Sequence, residues 1–188
     1  MWLPPPWILG TAFGLSELGL SLLRRSRSNV EVKDDQGSLR LIWQVILLGM
    51  LGAALFSQFL PQAGIPMTDT LYRAGLAVFL FGLVLRWYSI FYLGRYFTVD
   101  VAVASDHKVI DTGPYRYVRH PSYTGVLLEF FGFCMCLGNI ASMLWLMTLV
   151  SFVFLRRIGV EEAVLQKALG ESYTNYMRRT RRLIPFVY

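Results

Sequence analysis

LIWQVILLGMLGAALFSQFL, residues 41–60, carries no formal charge across twenty positions. A hydrocarbon core of about 30 Å takes ~20 mainly apolar residues in a helix, so this stretch reads as a membrane crossing. It decides the class of protein. The composition agrees: 55% of the 188 residues are hydrophobic and 16% are charged, against ~25% charged in soluble domains. The length fits one domain, residues 1–188.

Working outward, Trp2–Leu23 is a second apolar segment. A secretory signal places its basic residues before the apolar region and a small-residue cleavage site after it. Here Arg24, Arg25 and Arg27 follow the segment and no such site is clear, so a retained helix is expected. Glu17 inside it requires protein rather than lipid around it. Downstream, Leu71–Tyr92 is a third segment and contains Arg86. Tyr123–Leu137 and Ile140–Leu155 are shorter and parted by Gly138-Asn139, a turn signal. They read as a tight hairpin that thins the membrane or has its ends covered by protein. The expected fold is an all-α integral membrane protein of about five transmembrane helices with a short fourth–fifth helical hairpin. Residues 1–92 would hold three helices, and residues 93–188 the rest.

The basic residues set the expected orientation. Sixteen of the 18 Lys and Arg fall between segments one and two, between three and four, or after the fifth. The turns at Pro61–Thr70 and at Gly138 have none. The positive-inside rule then puts the N-terminus outside and the C-terminus in the cytoplasm. The net charge of +6 belongs to one membrane face and suits anionic lipid. No basic patch stands free of the membrane, which argues against nucleic acid. Cys134 and Cys136 are two apart in one apolar segment, so no disulfide framework or metal motif is expected.

Two polar segments on that face are too long to be turns. In Gly94–Ser122, FTVDVAVA (Phe97–Ala104) alternates as an extended strand does, and KVIDTGPY reads as a second extended piece leading into a turn at Gly113-Pro114. In Arg156–Tyr188, apolar residues recur at helical spacing from Val160 to Leu169, Gly170 reads as a stop, and a second short helix holds Tyr173 and Tyr176. Together the two segments offer His107, Tyr115, Arg116, Arg119, His120 and Tyr123 with Arg157, Glu161, Glu162, Tyr173 and Tyr176. Arg157 and Glu161 share a helix face, which also describes an ordinary i,i+4 ion pair. His120-Pro121 stands where a loop becomes a membrane helix, with proline suited to the first turn and free N–H groups suited to an anion. Taken singly, a histidine here is ordinarily structural, and arginines and tyrosines near a bilayer are ordinary interfacial anchors.

Their joint pattern is more specific. HKVIDTGPYRYVRHPSYTG (107–125), then a hydrophobic hairpin, then Arg157-x-x-x-Glu161-Glu162 and a GESY…Y…P ending, resembles the isoprenylcysteine carboxyl methyltransferase family, which belongs to a wider group with phospholipid N-methyltransferases. The resemblance covers about Gly94–Tyr188, and the short plan looks like that of a prokaryotic relative. It implies an integral membrane enzyme that moves a methyl group from S-adenosylmethionine, leaving S-adenosylhomocysteine, with a cytoplasmic C-terminal cofactor-binding region. It further implies that the cofactor is held by His107, Lys108 (through its backbone), Val109, Ile110, Tyr115, His120, Pro121, Ser122, Tyr123 and Glu161. Arg157 would handle the substrate, and Arg157 and Glu161 would be the catalytic pair. No metal is implied.

The residue types suit that chemistry. Tyr115 and Tyr123 can face a sulfonium cation, Glu161 can accept from an ammonium or ribose hydroxyls, and His120 can meet a carboxylate. Methyl transfer is an in-line displacement, so alignment supplies much of the acceleration. A carboxylate acceptor needs no general base, whereas an amine would, and no dedicated base is evident. The expected acceptor is therefore a prenylcysteine-like or other lipophilic carboxylate, reached from the membrane. Three alternatives stay open on the sequence: phospholipid N-methylation, an NADPH-dependent membrane reductase, and a lipid-binding scaffold without activity. Against the reductase, this chain has HPSYTG where P-N-Y-x-G-E is typical. Against the scaffold, Arg157, Glu161 and His120 are all present. The acceptor's identity, the oligomeric state and the particular membrane are not encoded in any motif found.

Overall fold

A computed structural model describes residues 3–23, 30–33, 37–99, 102–104 and 106–188. Its helices are α1 (Pro6–Leu23), α2 (Ser38–Phe59), α3 (Asp69–Leu93), α4 (Pro121–Leu137) and α5 (Ile140–Arg179). Each begins and ends where local chemistry directs. Thr68 accepts a hydrogen bond from the Leu71 N–H and starts α3. Gly138, left-handed at φ 66°, closes α4, and Asn139 caps α5 by accepting from the Ser142 N–H.

The two turns that lack basic residues meet. The Gly138 carbonyl accepts from the Ile65 N–H at 2.9 Å, and the Asn139 amide donates to the Leu60 carbonyl at 3.0 Å. This places the α2–α3 and α4–α5 connections at one end of the bundle. The helix ends that flank the three basic segments are at the other.

α4 is short, at 17 residues. α5 is not: it is helical from Ile140 to Leu169, where a kink at Gly170 interrupts it, and at 1.5 Å per residue that is ~45 Å, well beyond a hydrocarbon core of ~30 Å. Its first half crosses and its second half projects from the membrane. Sequence periodicity suggests a separate helix ending at Gly170. It is not separate, since the helix continues from the membrane, but the stop is met: at Gly170 (φ 55°, ψ −130°) the backbone leaves helical geometry, and a second short helix holding Tyr173 and Tyr176 follows across the kink.

Packing between α3 and α4 rests on glycine. A Cβ at Gly82 would strike the Gly125 carbonyl and the Glu129 amide, and one at Gly132 would strike the backbone of Phe79 and Gly75. Small residues allow such close approach where lipid provides no hydrophobic drive between helices. α2 and α5 are joined by the Ser142 hydroxyl donating to the Ala53 carbonyl at 2.7 Å. Glu17 does face protein: Arg86 holds it in a two-pronged pair at 2.6 and 2.7 Å, and also donates to the Ser122 carbonyl at 3.3 Å. Cys134 and Cys136 are buried and unbridged.

Between α3 and α4 the chain folds over the projecting part of α5. β2 (Ala102–Ala104) pairs antiparallel with β1 (Val30–Lys33), which precedes α2. The extended reading of residues 97–104 is thus partly met. Residues 107–111 form no strand, and β2 finds its partner in the other polar connection. A single 3₁₀ turn over Gly113–Arg116 then leads to α4.

Candidate active site

The fold over α5 encloses a cavity of about 680 Å³, measured out to its open mouth. His107, Lys108, Val109 and Ile110 line one side, Tyr115 and His120 the base, and Arg157 and Glu161 the α5 wall. Eight of the expected site residues therefore meet in one place. Tyr96, Phe97, Tyr173 and Tyr176 add aromatic rings to a lining that also holds aliphatic side chains such as Leu93, Val103, Leu165 and Leu169.

The remaining three stand behind it. Pro121 and Ser122 are buried in the first turn of α4. Tyr123 acts through its hydroxyl, which donates to Glu161 Oε2 at 2.8 Å and accepts from Arg157 Nε at 3.4 Å. Its ring stacks on His120, with centroids 5.6 Å apart. The helix start is not the open anion site that its sequence suggests. The His120 N–H already donates to the Arg182 carbonyl, and the Tyr123 and Thr124 N–H groups to the His120 carbonyl.

Tyr115 is pinned at both ends: its hydroxyl donates to the Ser89 carbonyl at 3.1 Å, and its carbonyl accepts from the Tyr176 hydroxyl at 2.6 Å. Burial pushes the Tyr115 phenol well above its ordinary pKa, as does the nearby Glu161 carboxylate, so it stays neutral. His107 lies against Tyr96 with centroids 4.7 Å apart. Its Nδ1 is enclosed and has no hydrogen-bond partner among the described residues. Burial lowers the His107 pKa, opposed by Glu161 and Asp106. A neutral imidazole with an unused nitrogen at a cavity wall is suited to a ligand.

Arg157 is buried and ties three elements together, donating to the Ser38 hydroxyl on α2, to the Val99 carbonyl at 2.6 Å, and to Tyr123 on α4. A second cavity of about 560 Å³ opens on its far side. This one lies among the helices and is mostly apolar, with Phe13, Leu20, Ile42, Trp43, Ile46 and Phe154 in its walls and the Glu17–Arg86 pair at one side. Phe97, Thr98 and Arg157 line both cavities.

Sequence reasoning missed the anchor of the site. Glu162, not Glu161, is the buried hub. It accepts from Arg119 at 2.8 Å and from Arg182 at 2.9 and 2.8 Å, with His120 Nε2 at 3.3 Å. Burial alone would raise its pKa, but the hydrogen bonds from His120, Arg182 and Arg119 outweigh this and hold it at about 2. Through it α5 grips both the start of α4 and the tail at Arg182. The signal available was the Glu-Glu adjacency followed by arginines after the helix, which gives no indication of which glutamate turns inward.

These features define a multi-pass integral membrane protein with two abutting cavities, one at the membrane face and one among the helices. A family model described as the isoprenylcysteine carboxyl methyltransferase (ICMT) family matches residues 75–167. Protein-S-isoprenylcysteine O-methyltransferase of Schizosaccharomyces pombe is 32% identical over 158 residues, 77% of this chain and 67% of that protein. Protein-S-isoprenylcysteine O-methyltransferase B of Arabidopsis thaliana is 34% identical over 115 residues, 60% of this chain and 58% of that one. A solved structure of the eukaryotic intramembrane Ras methyltransferase ICMT superposes with a TM-score of 0.61 at 28% identity, over 76% of this chain and 51% of its own. The chain thus spans little more than half the length of several relatives. It belongs to the isoprenylcysteine carboxyl methyltransferase family.

Proposed function

We propose that the chain methylates the carboxylate of a prenylated cysteine, or a similar lipophilic acid, using S-adenosylmethionine. The observation that carries this is the shared wall: a polar, aromatic cavity open at the membrane face and an apolar intramembrane cavity meet at Arg157, Phe97 and Thr98. A water-soluble donor and a lipid-borne acceptor would meet there.

The donor fits the outer cavity on two grounds. His107 lines it, with an Nδ1 that has no partner among the described residues, and its lining is rich in tyrosine, whose ring faces attract a sulfonium. The backbone of residues 107–110, Tyr115, His120 and Glu161 would hold it, with Pro121, Ser122 and Tyr123 fixing the position of His120 and Glu161. When bound, the donor supplies an electrophilic methyl group. Arg157 offers positive charge to the acceptor carboxylate at the boundary, and the apolar cavity takes the acceptor's tail. No side chain need remove a proton, because a carboxylate attacks as the anion. The N-terminus is then outside and the C-terminus cytoplasmic, a reading supported by the two turns without Lys or Arg meeting at one end of the bundle.

Calorimetric titration of the detergent-purified protein with S-adenosylhomocysteine, and in parallel with NADPH, tests the donor assignment. Saturable binding of S-adenosylhomocysteine alone is expected. Binding of NADPH alone would transfer the protein to the reductases, and binding of neither by folded protein would favour the scaffold. Arg157→Lys should keep that affinity within about threefold and lower turnover by roughly 10²-fold.

A further inference from the structure

The tail beyond α5 is built as a membrane-facing device. Residues 180–183 lie along the start of α4: the Arg181 carbonyl accepts from the Arg119 N–H at 2.8 Å, the Arg182 carbonyl from the His120 N–H at 3.0 Å, and the Leu183 carbonyl from the Thr124 hydroxyl at 2.8 Å. Thr124 is the fourth residue of a membrane helix, so the tail is fixed at the level where that helix enters the bilayer. Residues 183–188 then close a tight turn, with the Leu183 and Ile184 N–H groups donating to the Tyr188 carbonyl at 2.7 Å. Phe186 sits at its tip with φ 66°. A bulky residue in the left-handed region is strained, and here the strained ring is 91% exposed. Ile184 and Val187 are exposed beside it.

A cleft of about 610 Å³ lies between this turn and the turn before α4, lined by Arg116, Tyr117, Arg178, Arg179, Arg181 and Phe186. Arg179 pairs with Asp111 at 3.3 Å. Among the described residues, Arg116, Arg178 and Arg181 form no ion pair, and all three are exposed. Converging guanidinium groups suit a phosphodiester, and an aromatic and aliphatic rim at bilayer level suits acyl chains.

We propose that this cleft binds the headgroup of an anionic phospholipid, with Phe186, Ile184 and Val187 inserted beside its acyl chains. The occupant is a lipid rather than free phosphate, because the exposed apolar tip is held against a membrane helix. The same tail carries Arg182 to Glu162, so the bound lipid also steadies the wall of the outer cavity. This site is independent of which acceptor is methylated.

The test is a thermal-unfolding titration of the full chain in neutral detergent with phosphatidylglycerol, phosphatidylcholine or inorganic phosphate, on wild type and on the Arg178→Ala/Arg181→Ala variant. Phosphatidylglycerol should raise the wild-type midpoint by several degrees, with the other two inert. The variant should fold with an unchanged midpoint in detergent and need on the order of thirtyfold more phosphatidylglycerol for the same shift, two surface charges being lost. Phe186→Ser should weaken the response while leaving its salt dependence intact. An equal response to phosphatidylcholine, an equal effect of inorganic phosphate, or an undiminished response in the double variant would each overturn the proposal.

Discussion

At the scale of single residues, the adjacent glutamates divide the work. Glu162 is enclosed by Arg119, Arg182 and His120, so removing its charge leaves the buried Arg119 guanidinium without its carboxylate, at a cost of about 3–5 kcal/mol. Glu162→Gln should lower the unfolding midpoint markedly in a thermal melt, whereas Glu161→Gln should stay within ~1 kcal/mol of wild type and lose affinity for S-adenosylhomocysteine. The pH dependence follows from the same contacts. A carboxyl held at about 2 in the fold, against ~4.3 unfolded, contributes stability fully above the unfolded value and loses it as pH falls through the folded one. Acid melts should show this loss between roughly pH 4.5 and 2, and Glu162→Gln should lack it. His107 runs the other way. Burial keeps its imidazole neutral below the ordinary ~6.5, so donor affinity should be flat from neutral pH down to about 6.5 and decline only at lower pH. A calorimetric pH series on wild type and His107→Ala would show whether that decline belongs to His107. That His120, Arg157 and Glu161 gather at one cavity was legible in the HPSY and R-x-x-x-E-E patterns, whereas Pro121, Ser122 and Tyr123 stand behind it. The inward turn of Glu162 was not legible, since helix phase beyond the membrane depends on α5 continuing unbroken.

At the scale of elements, the five helices could be read from the lengths of their apolar runs and from the Gly138-Asn139 turn, because spanning a membrane constrains length and charge severely. How they pack could not, since lipid-facing and protein-facing residues are alike apolar. The glycines were the unused clue. Gly75 and Gly82 on α3 and Gly125 and Gly132 on α4 recur at seven residues and oppose one another. Gly132→Ala should cost about 1–3 kcal/mol by forcing the two backbones apart. Gly159→Ala, where a Cβ meets nothing within 4 Å, should instead gain up to ~1 kcal/mol. Paired melts in one detergent check both. The β1–β2 pairing was out of reach for a different reason: β2 pairs with a segment about seventy residues earlier, and nothing local to either piece specifies the other.

At the scale of the whole molecule, the two cavities abut at Arg157, Phe97 and Thr98. Perturbing one should leave the other intact. Trp43 belongs to the apolar cavity alone, so Trp43→Ala should raise KM for a farnesylated cysteine roughly tenfold without changing S-adenosylhomocysteine affinity. Methyl transfer is measured most directly with tritiated-methyl S-adenosylmethionine, a farnesylated cysteine and the purified protein in phosphatidylglycerol-containing vesicles. Mild base then hydrolyses any methyl ester and releases volatile methanol. Label on the farnesylated cysteine that mild base releases is expected, and its loss in Glu161→Gln. Label that resists base, or no transfer by protein that binds the donor, would contradict carboxyl methylation.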